Sequence, residues 1–301
     1  MISNYSDLIF AIASPFFSSV ATVFKSGAAK TLSPLTVVVI GGLIGGVLLF
    51  LLSKAFKEKI TLNKVKLHIR SLSALVIFRT ILGELFFTYG LSQTDVIKAI
   101  FFTKVEPYFV LLIGVLFLRE KIKLHHLFLL TIHLGGAILL STGGSIGQVG
   151  RAQIGDLFII IAMALFASSY NYGKKLAHSI GSISSNALAM LIGSLILLPF
   201  MILFSPPSLS WNIGWVYLLL YVILFNVIAL TLWFASLRSV RGWMVSALRY
   251  IGPVLGAPVA YSLFGETLNI AQIFGAVVII STSFLIAREH LKGSLRPSPQ
   301  T

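Results

Sequence analysis

The 301-residue sequence contains no cysteine. That excludes disulfides, thiolate metal sites, iron–sulfur ligation and a cysteine nucleophile. Charge is also scarce. Charged residues make up 11% of the chain, against roughly 25% in a soluble domain, and 57% of residues are hydrophobic. So little polar surface cannot coat a water-soluble particle of this size, and a bilayer resolves the mismatch. Acid is scarcer still, with nine Asp and Glu against 23 Lys and Arg, and the nine offer no metal cluster. The opening MISNYSD lacks the basic start of a cleavable signal peptide, so the first apolar run reads as a retained span. HExxH, GxSxG and GxxxxGK[ST] do not occur. A zinc protease, a serine hydrolase and a nucleotide hydrolase therefore have no motif support, and no enzymatic role is expected.

What the chain has is apolar runs of membrane-crossing length. A helical span needs about 20 mostly apolar residues. The runs predict ten, over 7–25, 34–53, 71–92, 95–118, 124–142, 154–173, 183–204, 213–237, 241–264 and 268–287. Short links such as SQTD and RSVRG make neighbouring spans antiparallel hairpins. Sixteen Lys and Arg, from Lys54 to Arg296, fall in loops on the side of the N-terminus; Lys25, Lys30 and Arg151 fall on the other. The positive-inside rule then puts both termini in the cytoplasm of a plasma (inner) membrane, with the basic face toward anionic lipids. The net charge of +14 is thus a topology signal, and nucleic acid is not an expected partner.

The chain repeats itself. SDLIFAIASPFFSSVATVFK (6–25) parallels GDLFIIIAMALFASSYNYGK (155–174), with Asp7 on Asp156 and Lys25 on Lys174, at an offset of 149. Further on the offset is 146, with Leu91 on Leu237, Pro107 on Pro253, Glu120 on Glu266 and Phe128 on Phe274. Five spans per copy is odd, so the second copy enters from the opposite side. The fold class expected is an all-α membrane protein of ten transmembrane helices, as two inverted five-helix repeats around a central cavity. Secondary transporters are commonly built so, with the substrate site near the midplane between the halves. The expected division is a first repeat at 7–141, a glycine-rich linker at 142–153 (GGSIGQVG lies within it), a second repeat at 154–287 and a cytoplasmic tail at 288–301.

FTYGLSQTDVIKAIFFTKVEPYFVLLIGVLFLREKI and WFASLRSVRGWMVSALRYIGPVLGAPVAYSLFGETL both resemble the central segment of EamA-type repeats of the drug/metabolite transporter superfamily. The shared marks are a short hairpin after the third helix, a mid-helix proline (Pro107, Pro253) and a closing Arg119-Glu120 or Gly265-Glu266. The resemblance covers about 7–141 and 154–287. It implies a ten-helix transporter without cofactor or ATP-binding module, exporting amino acids or other metabolites. Related sugar-phosphate exchangers carry a Lys on the fourth helix and a Lys-Arg pair on the ninth. This chain has Lys104 but Arg249-Tyr250, so exchange of phosphorylated metabolites stays an alternative. A non-transporting membrane scaffold or receptor is another.

Glu120 and Glu266 read as structural caps at tight turns, where a carboxylate meets the free N–H groups of the next helix. The charged groups inside spans are less easily explained. Counted by helical rise along each span, Arg79, Lys104, Glu106 and Arg249 form one midplane layer, with Glu84 nearer the outside. Lys98 is shallow enough to snorkel. Each deep charge costs about 2.5–3.5 kcal/mol on insertion scales, so the layer should face a wet cavity or pair internally. Lys104, Arg249, Glu106 and Arg79 are therefore candidates for binding a carboxylate-bearing small molecule. Glu106 is also a candidate for proton coupling. The structural alternative pairs Arg79 with Glu106 and Lys104 with Glu84. Tyr89, Tyr108, Asn171, Asn226, Trp243 and Tyr250 could line the path or simply pack. His133 is expected to bond a neighbouring helix, and Pro107 and Pro253 to act as hinges. The oligomeric state is open.

Overall fold

A computed structural model describes residues 2–58, 60–94, 99, 102–118, 124–145, 153–207, 210–237, 239–240, 242–252, 254 and 269–294. Helix α1 (Ile2–Thr31) passes straight through Lys25, where the sequence reading ends its first span. The following SGAAKT has no proline and its one glycine, Gly27, is carried inside the helix, and Lys25 is buried rather than in a loop. Helix α2 (Pro34–Ala55) starts at Ser33, whose Oγ accepts from the Thr36 N–H at 3.1 Å; Pro34 fills the first turn, where its missing N–H costs nothing. The short α3 (Leu62–Leu67) leads into α4 (Ile69–Ser92). Then come α5 (Glu106–Leu118), α6 (Leu124–Thr142), α7 (Ile154–Ser179), α8 (Ser182–Phe204), α9 (Ile213–Ser236), α10 (Gly242–Leu248) and α11 (Ile270–Ser294). No strand occurs among the described residues.

Six of these, α1, α2, α4, α7, α8 and α9, are long and apolar enough to cross a membrane. Shorter apolar stretches lie at Leu124–Leu140 and Ile270–Ile286. The expected fourth and ninth spans, like the caps Glu120 and Glu266, the hinge Pro253 and the shallow Lys98, lie wholly or partly outside the described residues. Large apolar side chains such as Leu203, Phe204 and Phe117 point outward. In water such a surface would aggregate; in acyl chains it costs nothing.

Local irregularities recur at a fixed interval. α4 widens to a π-helix over Val76–Gly83, and α9 does so over Val222–Ala229. Both ends of the two segments are related by the offset that carries Pro107 onto Pro253. A 3₁₀ turn at Thr103–Val105 precedes α5, and another at Arg249–Ile251 follows α10, again at that offset. Pro107 sits in the first turn of α5 just past its 3₁₀ turn, a break in the helix rather than a bend within it.

The packing is reciprocal as well. α1 packs on α9, and α7 packs on α4; α5 meets α7, and α10 meets α1. Equivalent helices also pack together, α2 with α8 and α6 with α11. α2 and α8 run antiparallel, since Ser205 Oγ donates to Ser33 Oγ at 2.5 Å at one end. At the other, Glu58 accepts from the N–H groups of Ile183 (3.5 Å) and Ser184 (2.8 Å). Small residues let these backbones approach: a methyl on Gly46 would lie 2.7 Å from the Leu191 side chain. Between α6 and α11, a methyl on Gly275 would lie 2.6 Å from the carbonyl oxygen of Gly136.

Candidate functional site

Among the described residues, six charged side chains deep within the helices form two ion pairs and two further cations, while the buried Asp7 and Asp156 stand near the starts of α1 and α7. In the first pair, Glu106 opens α5 with its side chain inside the bundle, where Arg249 donates to Oε2 and the Tyr170 hydroxyl to Oε1. The Arg249 guanidinium also lies 5.1 Å above the Trp233 ring, and Tyr170 packs on the same indole at 5.3 Å. Four helices thus meet on one carboxylate: α5 supplies it, α7 the tyrosine, α9 the indole and the turn after α10 the cation.

The second pair has the same design. Lys25 of α1 donates to Glu84 Oε2 of α4, and the Tyr221 hydroxyl of α9 donates to the same oxygen at 3.4 Å. The Lys25 ammonium sits 4.8 Å from the centroid of Phe87 and 4.9 Å from that of Tyr221. Phe87 and Trp233, the two aromatic supports, are equivalent positions of the repeat. Ring faces attract a desolvated cation by up to about 2 kcal/mol, so each pair has electrostatic support beyond its partner.

These pairs differ from those of the structural alternative. Arg79 does not bridge Glu106, and Lys104 does not bridge Glu84: Arg249 and Lys25 take those carboxylates. Depth along a span ranks groups along the membrane normal but says nothing of which helix faces which, so depth alone does not yield pairings. Lys25 escapes the sequence reading because a cation at the end of an apolar run looks like a loop residue. Its signal is present, since no proline follows it until Pro34.

Arg79, on the π segment of α4, feels both carboxylates but bonds to neither. Its guanidinium is held between Phe166 and Phe234, at 5.2 and 5.3 Å from their centroids, and only 8% of the residue is exposed. Lys104 sits 5.4 Å over the Tyr250 ring, while the Tyr250 hydroxyl donates back to the Lys104 carbonyl. Tyr250 stacks edge-on with His133 at 4.7 Å, and His133 Nδ1 lies 3.0 Å from Thr282 Oγ1 of α11, the inter-helix bond expected of a lone imidazole.

Of the aromatic and amide candidates, Asn226 is buried, with its amide donating to the Gly41 carbonyl at 3.2 Å. Tyr108 and Asn171 are half-buried, Tyr108 against the main apolar core. Tyr89 is exposed near the far end of α4 and stands apart from the charged layer. The Trp243 side chain lies outside the described residues. Beside Arg79 is a cavity of about 20 Å³, room for about one water. Its lining includes Glu84, Tyr221, Asn226 and Asn186. Asn186 is not among the residues expected at the site.

Residues 6–142 and 153–288 match the EamA-like transporter family. The chain belongs to that family. It is similar to an uncharacterized transporter of Methanothermobacter thermautotrophicus, 23% identical over 90% of this chain and 82% of that one. Another, from Archaeoglobus fulgidus, is 22% identical over 94% and 99%. The uncharacterized transporter YetK of Bacillus subtilis is 23% identical over 79% of this chain and 72% of its own length. A solved crystal structure superposes with a TM-score of 0.71 at 15% identity, covering 96% of this chain and 97% of the other, a likeness of fold. This EamA-like protein is a multi-pass membrane transporter. Its buried charges are therefore charges set inside a membrane transporter.

Proposed function

We propose that this EamA-like protein is a secondary transporter that exports small carboxylate-bearing metabolites, amino acids among them, by alternating access. In this reading ten helices form two inverted repeats, 7–141 and 154–287, joined by a linker at 142–153 and followed by a tail at 288–301. The matched π segments and 3₁₀ turns, and the exchanged packing of α1 and α7, support the repeat. The two termini would lie in the cytoplasm, and the plasma (inner) membrane is the bilayer crossed.

The observation that carries the substrate class is the charge of the interior layer. Among the described residues of that layer, Lys25, Arg79, Lys104 and Arg249 meet two carboxylates, Glu84 and Glu106, leaving two positive charges in excess. An anion entering between the halves would neutralise part of that excess, so loading lowers the cost of holding the layer out of water. The 3₁₀ turns beside Glu106 and at Arg249, with Pro107 next to the first, are the points about which α5 and α10 would swing. Glu106 is the carboxylate best placed to exchange a proton during the cycle, since its Oε2 is engaged by Arg249, which would move with those turns, and its Oε1 by Tyr170 of α7.

Proteoliposomes loaded with labelled amino acids and organic acids, with and without a pH gradient, test the proposal. Arg249→Gln and Lys104→Gln should each lose flux of the transported solute while folded protein is retained. Glu106→Gln should abolish any dependence on the gradient. Normal flux of every solute through both cation variants would sink the reading.

A further inference from the structure

The cavity beside Arg79 has a lining that is long for its volume. Val37 and Val38 stand in the first turns of α2, and Asn186 in the first turns of α8. Because α2 and α8 are antiparallel, those turns are at opposite ends of the bundle. Between them come Glu84 and Tyr221, then Arg79 and Asn226, then Ala189. Arg79 and Asn226 each sit on one of the two π segments. A π-helix turns with an extra residue, which displaces side chains from the α-helical register and recurs at functional sites. Arg79 is also, among the described residues, a cation in this layer without a hydrogen-bonded acceptor, fixed flat between two aromatic rings. An arginine held by its faces keeps its N–H edge free for a planar acceptor.

We infer that the solute path runs between α2, α4, α8 and α9, through a narrow passage closed in this conformation to about one water at Arg79, and that Arg79 with Asn226 forms its anion-selecting constriction. The Arg249–Glu106 pair lies outside this lining and acts on the passage through α9, where Trp233 carries the Arg249 guanidinium. The ligand is an anion with a small planar head, a carboxylate, accepted edge-on by the guanidinium. This rests on the transport reading for its purpose, but not for its test.

The test uses the full-length protein in lipid nanodiscs, with single cysteines introduced at Val38 and Ala189 on either side of Arg79. The native chain has no cysteine to compete. Two membrane-impermeant methanethiosulfonates, one anionic and one cationic, serve as probes. Both positions should label. The anionic-to-cationic rate ratio at Ala189→Cys should fall at least about tenfold when Arg79→Gln is added, as expected for removing one unit charge about 10 Å away in a poorly screened site. Arg79→Lys should keep most of the ratio. Should Arg79→Gln fail to accumulate, Asn226→Asp adds a carboxylate to the same lining and should move the ratio the same way. Silence at both cysteines, or a ratio indifferent to Arg79 and Asn226, overturns the passage. Silence together with flux lost in Arg249→Gln overturns the passage alone. Charge-selective labelling without flux of any solute supports the passage and overturns the transport reading.

Discussion

The Lys25–Glu84 pair allows a quantitative test of what holds the interior together. Lys25 is 2% exposed and the Glu84 side chain 16%. Position 84 corresponds to Leu230 in the second copy, so leucine is already used at the equivalent point of the chain. Glu84→Leu alone leaves a buried ammonium whose remaining support is two ring faces. Removing one partner of a buried pair costs about 3–5 kcal/mol. Lys25→Met alone leaves a carboxylate that still has the Tyr221 hydroxyl and the Arg79 charge beside it, and should cost less, about 1–3 kcal/mol. The double variant removes both charges in favour of apolar groups of similar size and should lie within about 1 kcal/mol of the parent, or above it. A double-mutant cycle should then report a coupling of at least about 2 kcal/mol. Unfolding by SDS titration in mixed micelles, followed by tryptophan fluorescence, gives the four stabilities. If Glu84→Leu costs no more than an ordinary surface substitution, about 0.5 kcal/mol, the ion pair is not what orders α1 against α4. A double variant that costs the sum of the singles would say the same.

Two further outcomes follow from the packing. Gly275→Val should lower stability by more than about 2 kcal/mol in the same titration. Its β-carbon would lie 2.6 Å from the Gly136 carbonyl oxygen and 2.7 Å from the Leu140 nitrogen, both backbone atoms that cannot step aside. Glu58→Gln keeps its shape but weakens the charge-assisted bonds to the N–H groups of Ile183 and Ser184 by about 1 kcal/mol, so hydrogen exchange at those two amides should quicken about fivefold. Unchanged protection there would mean that the Gly181 turn, at φ +97°, orders the start of α8 without the carboxylate.

The fold is legible in the sequence where one physical cause dominates. Apolar runs predict α2, α8 and α9 to within a few residues of their ends, because burying about twenty backbone units in hydrocarbon leaves only a helix. The end of α1 is not legible from hydropathy, because the chain buries Lys25 against a carboxylate far along the sequence. The π segments leave no readable trace either. VIFRTILG and VILFNVIA look like ordinary helix, and their widening depends on what packs against them: Ser14 Oγ donates to the Ala229 carbonyl at 2.7 Å from α1. At the site, residue identities are legible and pairings are not. Asn186 escapes notice because a lone amide one turn into a helix looks like a surface residue until α2 covers it.

The repeat is kept by the backbone and broken by the charges. The π segment of α4 has its equivalent in α9, but Arg79 corresponds to Phe225, Glu84 to Leu230 and Glu106 to Gly252. Lys104 corresponds to Tyr250, and those two residues touch, the ammonium over the ring and the hydroxyl on the Lys104 carbonyl. In the proposed inverted repeat, a contact between equivalent positions would put the 3₁₀ turns carrying Lys104 and Tyr250 near the axis relating the copies. Of the six charged residues in the two ion pairs and the two further cations, Lys25, Arg79, Glu84, Lys104 and Glu106 come from the first copy, and Arg249 from the second, which also supplies the rings of Trp233 and Phe234. Two copies of one fold thus make an asymmetric interior. A path through such an interior need not present the same chemistry to its two ends.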